Sequence, residues 1–181
     1  MYNVFMASGY ANHLTKQVGE FLVCAELGRR GLVATTFAGS MPGFDVVATN
    51  AQHCSILLQV KTARSASNSA SCWPLTGKFL DIATDSKTGR QTVKRKALGD
   101  EAKLIYVFVL LRGKRCESDR FFVCRAREAQ DACLASYTEF LSKHGYVRPK
   151  KPQSTDLRIR PSDLSKFENS WELINLSLSG S

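Results

Sequence analysis

Residues 104–111 (LIYVFVLL) form the stretch that most limits what this chain can fold into. No charge interrupts it, and it is rich in β-branched and aromatic side chains, the composition of a strand. It is apolar at every position rather than at alternate ones. Such a strand has no face to show to water and must be central, covered on both sides. It is also far too short to cross a bilayer, which takes about 18 or more apolar residues. After a turn at 113–118, residues 120–124 (RFFVC) return as its partner.

The rest of the chain supplies further elements. Residues 12–30 read as a helix whose buried stripe is Leu14, Val18, Phe21, Ala25 and Gly28, flanked by Leu22. Lys16, Glu20, Glu26, Arg29 and Arg30 fall mostly off that stripe, a solvated face, and Gly31 supplies the stop. Residues 32–37 read as a strand, 38–43 as a turn, 44–49 as a second strand carrying Asp45, 50–53 as a turn and 54–62 as a third strand. Loops this short favour antiparallel neighbours, so the three strands should form a meander.

Residues 65–71 are serine-rich and expected to be mobile, 73–82 contain a strand, and 85–90 are a turn. Lys87, Arg90, Lys94, Arg95, Lys96 and Lys103 make the densest basic run, a solvated loop or a phosphate-contacting arm. A second helix is expected over 126–144, and a short one from an Ser162 cap to Phe167. Residues 171–174 pack the end of the fold. The expectation is one domain over 1–174, with 175–181 a disordered tail.

The 181 residues are 44% hydrophobic and 23% charged, which argues against disorder. A formal charge of +9 favours polyanionic partners, nucleic acid first. The first ten residues lack the basic and apolar regions of a secretory signal, and no stretch is long enough to span a membrane. The expected location is the cytoplasm. The six cysteines then read as reduced thiols, mostly small buried hydrophobes. None lies in a Cys-x-x-Cys spacing, and none clusters with His13, His53 or His144, which disfavours a structural zinc site.

Chemistry concentrates between the second and third strands. Alternation places Gln59 and Lys61 on one face of the third strand, with Ile56, Leu58 and Val60 on the other. An acid, an amide and an ammonium have little reason to share a hairpin unless they meet a common ligand. Phosphodiester hydrolysis needs an activated water, neutralised phosphoryl oxygens and help for the leaving alkoxide. A magnesium ion held by acidic groups, with open water positions, supplies much of this. Asp45 suits a direct ligand and Gln59 a neutral oxygen donor. Glu20, on the preceding helix, could complete the set, and Lys61 could assist the attacking water.

The order of these residues resembles the PD-(D/E)XK nuclease superfamily, particularly its Holliday-junction resolvase-like and intron homing endonuclease branches. The resemblance covers residues 16–64 through Gly19-Glu20, Ala25-Glu26-Leu27, Arg29-Arg30-Gly31, Gly43-Phe44-Asp45 and 58–64 (LQVKTAR). The Glu20–Gly31 spacing makes Glu20 a better match to the helical acid than Glu26. The resemblance implies an α/β (α+β) fold, a restriction endonuclease-like mixed β-sheet flanked by helices. It also implies Mg2+, or Mn2+ in its place, and DNA as the partner; such enzymes often act as a homodimer. Two positions depart from the pattern: Pro42 lies three residues before Asp45, and Gln59 stands where a second acid is usual.

The sequence therefore points to a metal-dependent DNA endonuclease. Glu20, Asp45, Gln59 and Lys61 form its site, and Arg64, Lys87, Arg90, Lys94, Arg95 and Lys96 contact phosphate. The alternatives are a catalytically inactive DNA-binding member of the same fold and a regulatory or protein-interaction module.

Overall fold

The apolar run becomes β7 (Ile105–Leu111), buried at every position. In this computed structural model, which describes residues 8–37, 43–65, 71–75, 77–113 and 118–179, it lies between β3 (Ser55–Arg64), parallel to it, and β8 (Arg120–Arg125), antiparallel. β1 (Val33–Thr36) and β2 (Val46–Thr49) continue the sheet beyond β3 as the expected antiparallel meander. The order is β1-β2-β3-β7-β8, one mixed five-stranded sheet. Residues 38–42 of the expected turn, residues 66–70 of the serine-rich stretch, and Cys116 lie outside the described residues.

Helices cover both faces. α1 (Ser8–Arg29) and α3 (Glu172–Ser179) pack on one, where Val23, Leu27, Trp171 and Ile174 meet Leu58, Val60, Val107 and Val109. α2 (Ala126–Ser142) packs on the other, where Ala129, Cys133, Tyr137 and Leu141 meet Tyr106, Phe108, Phe122 and Cys124. Gln59 lies opposite Tyr106 and Lys61 opposite Phe108, so both belong to the α2 face, away from Leu58 and Val60. Alternation along β3 is as its sequence indicates.

The buried line of α1 is not the expected stripe. Gly19, Val23 and Leu27 point inward, whereas Val18 is 38% and Phe21 54% exposed, and Ala25 and Gly28 are exposed too. The reason is steric. A Cβ on Gly19 would stand 1.8 Å from the Thr62 hydroxyl, so α1 seats on β3 through a residue with no side chain. A residue with little hydrophobicity of its own thus sets the helix's rotation, and larger neighbours are turned outward. At the C-terminal end of α1, Arg29 and Arg30 both bond Glu26 at 2.6 Å, and the Arg30 guanidinium lies 4.5 Å over the Trp171 ring. Glu26 is thereby a structural acid.

The crossover from β3 to β7 carries elements that the sequence left indistinct. β4 (Trp73–Pro74) pairs with β9 (Arg158–Ile159), and β5 (Leu80–Thr84) pairs with β6 (Gln91–Arg95). The Trp73 indole donates to the Val109 carbonyl at 3.1 Å and fixes β4 against the sheet. Two buried amides hold the β5–β6 hairpin. Gln130 donates to the carbonyls of Phe79 and Lys96, and Gln91 donates to those of Pro152 and Ser154 while accepting from the Tyr137 hydroxyl. Two terminal expectations change. The short helix is a 3-10 turn, Pro161–Phe167, capped by Asp163 accepting from the Arg160 N–H, with Ser162 inside it. Residues 175–179, expected in a disordered tail, belong to α3, where Leu178 is buried.

Candidate active site

β2 is shorter than β3, and the site is built where it leaves off. The paired register ends at Val46 opposite Leu58. Asp45, one residue earlier, still donates its N–H to the Leu58 carbonyl at 2.8 Å. The chain reaches Asp45 through Gly43, whose φ of +99° suits glycine alone. Beyond Leu58 no β2 carbonyl is available to the Val60 N–H. The Asp45 carboxylate takes that place, its Oδ2 accepting from Val60 N at 2.9 Å. The Gln59 amide nitrogen donates to the same oxygen. A carboxylate can only accept here, so the orientation of the Gln59 amide follows, and its oxygen is the atom left to offer a cation.

The other carboxylate oxygen of Asp45 faces the Lys16 ammonium at 3.3 Å, and Glu20 faces the same ammonium at 3.5 Å. Both acids are nearly enclosed, with side chains 9% and 14% exposed, while Lys16 is 50% exposed. Burial pushes the Glu20 carboxyl up, against the pull of Lys16. Burial works against the Lys16 charge, but Asp45 and Glu20 outweigh it and hold that ammonium above its ordinary range. Lys61 goes the other way. Its burial lowers it, Lys78 and Lys16 add repulsion, and the Asp45 charge offsets only part of this. A buried lysine that gives up its proton more readily is a common arrangement at sites of proton transfer.

A cleft of about 600 Å³ opens beside this cluster, with Lys16 and Thr15 of α1 on one wall and residues 60–64 of β3 on the other. Cys72, Trp73 and Pro74 close its far end. Arg64 lines it, its Nε donating to the Thr15 hydroxyl at 2.8 Å. The other expected phosphate contacts lie on or next to the β5–β6 hairpin, and most already have partners. Arg95 pairs with Asp131 at 2.7 Å, Lys96 donates to the Gly77 carbonyl at 2.9 Å, and Arg90 lies over Tyr146. Lys87 and Lys94 are exposed.

Do these residues suit the divalent cation that the sequence resemblance implies? The donors are two carboxylates and an amide oxygen, all hard, as Mg2+ and Mn2+ prefer. The two carboxylates already converge on one positive charge, the Lys16 ammonium. Among the described residues no three His, Cys, Asp or Glu side chains form a metal-binding group, so the set fits only if Gln59 and water complete it. It fits, with one negative charge fewer than a three-acid site.

Lys16, expected on a solvated face, is instead central, facing both Glu20 and Asp45. Its signal was the four-residue spacing to Glu20, which places both on one side of the helix. Gly19 and Thr15 gave no comparable signal, because their roles depend on where α1 meets β3.

No family model matches the sequence, and no curated protein matches it either. Solved structures do. The bacterial homing endonuclease I-Ssp6803I superimposes with a TM-score of 0.52 at 11% identity, over 93% of this chain and 96% of that one. The Holliday junction resolvase Hjc of Archaeoglobus fulgidus matches at a TM-score of 0.41 and 11% identity, over 83% of this chain and 88% of that one. At such identity the likeness to the homing endonuclease is one of fold. The mixed sheet, its flanking helices and this superposition together establish that the chain has the restriction endonuclease-like fold.

Proposed function

We propose that the chain is a metal-dependent endonuclease that hydrolyses DNA phosphodiester bonds, with Glu20, Asp45, Gln59 and Lys61 as its working residues. The observation that carries this reading is convergence. Residues from three separate elements meet at the open edge of β3, beside a cleft lined by Lys16, Lys61 and Arg64. The solved structure of a homing endonuclease with the same fold lends the substrate class.

In the reaction a water oxygen bonds to phosphorus, the phosphorus–oxygen bond to the leaving alkoxide breaks, and that alkoxide takes up a proton. A divalent cation, when bound, would supply Lewis acidity and a more acidic water. Asp45 and Glu20 would hold it, with the Gln59 oxygen as a neutral donor. The Gln59 amide nitrogen and the Val60 N–H fix the Asp45 carboxylate through Oδ2, so Oδ1, which faces the Lys16 ammonium, is the oxygen that would ligate a cation. Lys61 lies on the same face as Gln59, and its weakened hold on its proton suits it to accept one from the attacking water. Once protonated it places positive charge by the phosphoryl oxygens. Arg64 holds the backbone in the cleft, and Lys87 and Lys94 are outlying contacts that position without reading sequence.

Purified protein should nick or cut DNA when magnesium or manganese is added. Lys61→Ala should lower the rate by about 10²–10⁴-fold while leaving the circular-dichroism melt cooperative. Equal cleavage by that variant removes the mechanism. Two strands need two sites, so the proposal includes a homodimer. Buried thiols at Cys124 and Cys133 suit a reducing setting, and the proposal places the protein in the cytoplasm.

One observation favours a second reading, a DNA-binding member that has lost catalysis. The Lys16 ammonium already pairs with both carboxylates, and an amide, Gln59, stands where the pattern has its second acid. This reading predicts salt-sensitive DNA binding with no specific magnesium uptake in a calorimetric titration.

A further inference from the structure

Cys72 belongs to two clefts. It lines the one beside Lys61, and it lines a second, of about 320 Å³, that also takes in Arg158 of β9. The ribbon joins them directly: Pro74 of the first cleft pairs with Arg158 of the second, and the Arg158 guanidinium stands 4.0 Å from the Cys72 sulfur.

The second cleft is cationic. Arg148, Arg158 and Arg160 line it, together with Tyr137 and Phe140 of α2. Arg148 is fixed in place, donating from Nη1 to the Asp156 carbonyl at 2.9 Å and the Ser154 carbonyl at 3.1 Å. Its guanidinium centre lies about 6 Å from both the Tyr137 and the Phe140 rings, at 6.0 and 5.9 Å. Its Nε is buried with no hydrogen-bond partner, so the fold leaves one of its donors unanswered. Arg158 and Arg160 are exposed. Against these, Asp156 is the one carboxylate in the lining among the described residues. Two acids nearby are engaged: Asp163 accepts from the Ser136 hydroxyl and the Arg160 N–H, and Glu139 pairs with Lys143. Glu139 also feels the charge of Arg160.

Guanidinium groups grouped in a concave surface match phosphate oxygens in geometry as well as charge. Their distance along the chain from Lys61 hides the relation, which only the β4–β9 pairing creates. Resting on the endonuclease reading above, we propose that Arg148, Arg158 and Arg160 form a phosphate seat that grips the DNA backbone where it leaves the Lys61 cleft across Cys72 and Pro74. The seat adds length to the footprint and holds the strand in line with the catalytic edge, without reading bases.

The test is equilibrium binding of the full chain, carrying Lys61→Ala to prevent turnover, to a duplex of about two helical turns over a range of salt. Adding Arg158→Gln and Arg160→Gln should weaken binding at low salt at least tenfold. It should also reduce the slope of log affinity against log salt by about 2, close to one per lost phosphate contact. Arg29→Gln with Arg125→Gln removes the same charge elsewhere and should change the slope by much less. Thermal melts of each variant establish that it folds. A slope and affinity unchanged by the Arg158 and Arg160 substitutions, with DNA binding by the parent intact, overturn the seat alone. A parent that binds no DNA at low salt overturns the nucleic-acid reading itself.

Discussion

The chain concentrates charge in two places, and they behave differently. At the open edge of β3, Lys16, Glu20, Asp45 and Lys61 come from positions spread over 46 residues, are partly or largely enclosed, and shift one another's proton affinities. On the β5–β6 hairpin the cations are adjacent in sequence and exposed, and Arg90, Arg95 and Lys96 are taken up by neighbours. Charge that the fold holds at a cost is a better pointer to chemistry than charge that is merely dense. Exposed cations lose little by standing alone, so their number says more about solubility than about a site.

The largest effect that would sharpen this contrast is at Lys61. Burial lowers its pKa below the ordinary lysine value, so the folded state binds fewer protons there than the unfolded chain does. The unfolded chain then holds the extra proton, and stability rises as pH climbs from the lowered pKa toward about 10.4. Glu20 has the opposite sign. Its raised pKa means that stability falls as pH rises from about 4.3 through the folded value. Lys61→Met should cut cleavage by about 10²–10⁴-fold, as for the alanine variant, and should also raise the melting temperature at neutral pH and flatten the alkaline rise of stability in denaturant titrations. A lower melting temperature in that variant would show that the lysine is held at no cost.

Next in size is Gly19→Ala. The new methyl meets Thr62, so α1 must lift from β3, at a cost of about 1–3 kcal/mol. Lifting α1 also moves Glu20 and Lys16, and activity should fall further than the loss of folded protein explains. Chemical denaturation alongside specific activity separates the two. The same substitution at Gly28, where a Cβ meets nothing within 4 Å, should be harmless or mildly stabilising.

Lys16→Met tests whether the ammonium holds the cation's place. Removing it leaves two enclosed carboxylates facing each other, so magnesium affinity by calorimetry should rise several-fold and the metal-free protein should melt earlier. Unchanged affinity would mean that Lys16 and the metal occupy different positions. The smallest effect belongs to the hairpin. Lys87→Gln with Lys94→Gln should change the salt slope of DNA binding by less than about 1. A fall as large as that expected for Arg158 and Arg160 would reverse the contrast between the two regions.

The elements whose patterns arise within a few residues were legible in the sequence. The apolar run of β7 and the alternation of Gln59 and Lys61 along β3 stand where the sequence places them. The rotation of α1 was not legible, because Gly19 acts through an absent side chain and its partner Thr62 is 43 residues away. The β5–β6 hairpin was obscured because Gln91 and Gln130, which fix it, look like surface residues until their burial is known. Lys16 was visible as one half of a four-residue pair with Glu20, but its contact with Asp45 is a product of tertiary structure.

The two neighbours of β3 also differ in how far along the chain they lie. β2 is joined to it by residues 50–54, whereas β7 begins 41 residues after β3 ends. Closing the longer loop costs more entropy before any contact repays it, though only about 0.6 kcal/mol for each doubling in length. The hairpin bearing Asp45 and Gln59 is therefore expected to form on the microsecond scale typical of hairpins, with the parallel β3–β7 pairing following as the slower event. In such an order the acid and its amide partner are in place before the cleft they serve has walls. Because β4 and β9 must then meet across 83 intervening residues, the far end of the cleft is expected to be completed last during refolding.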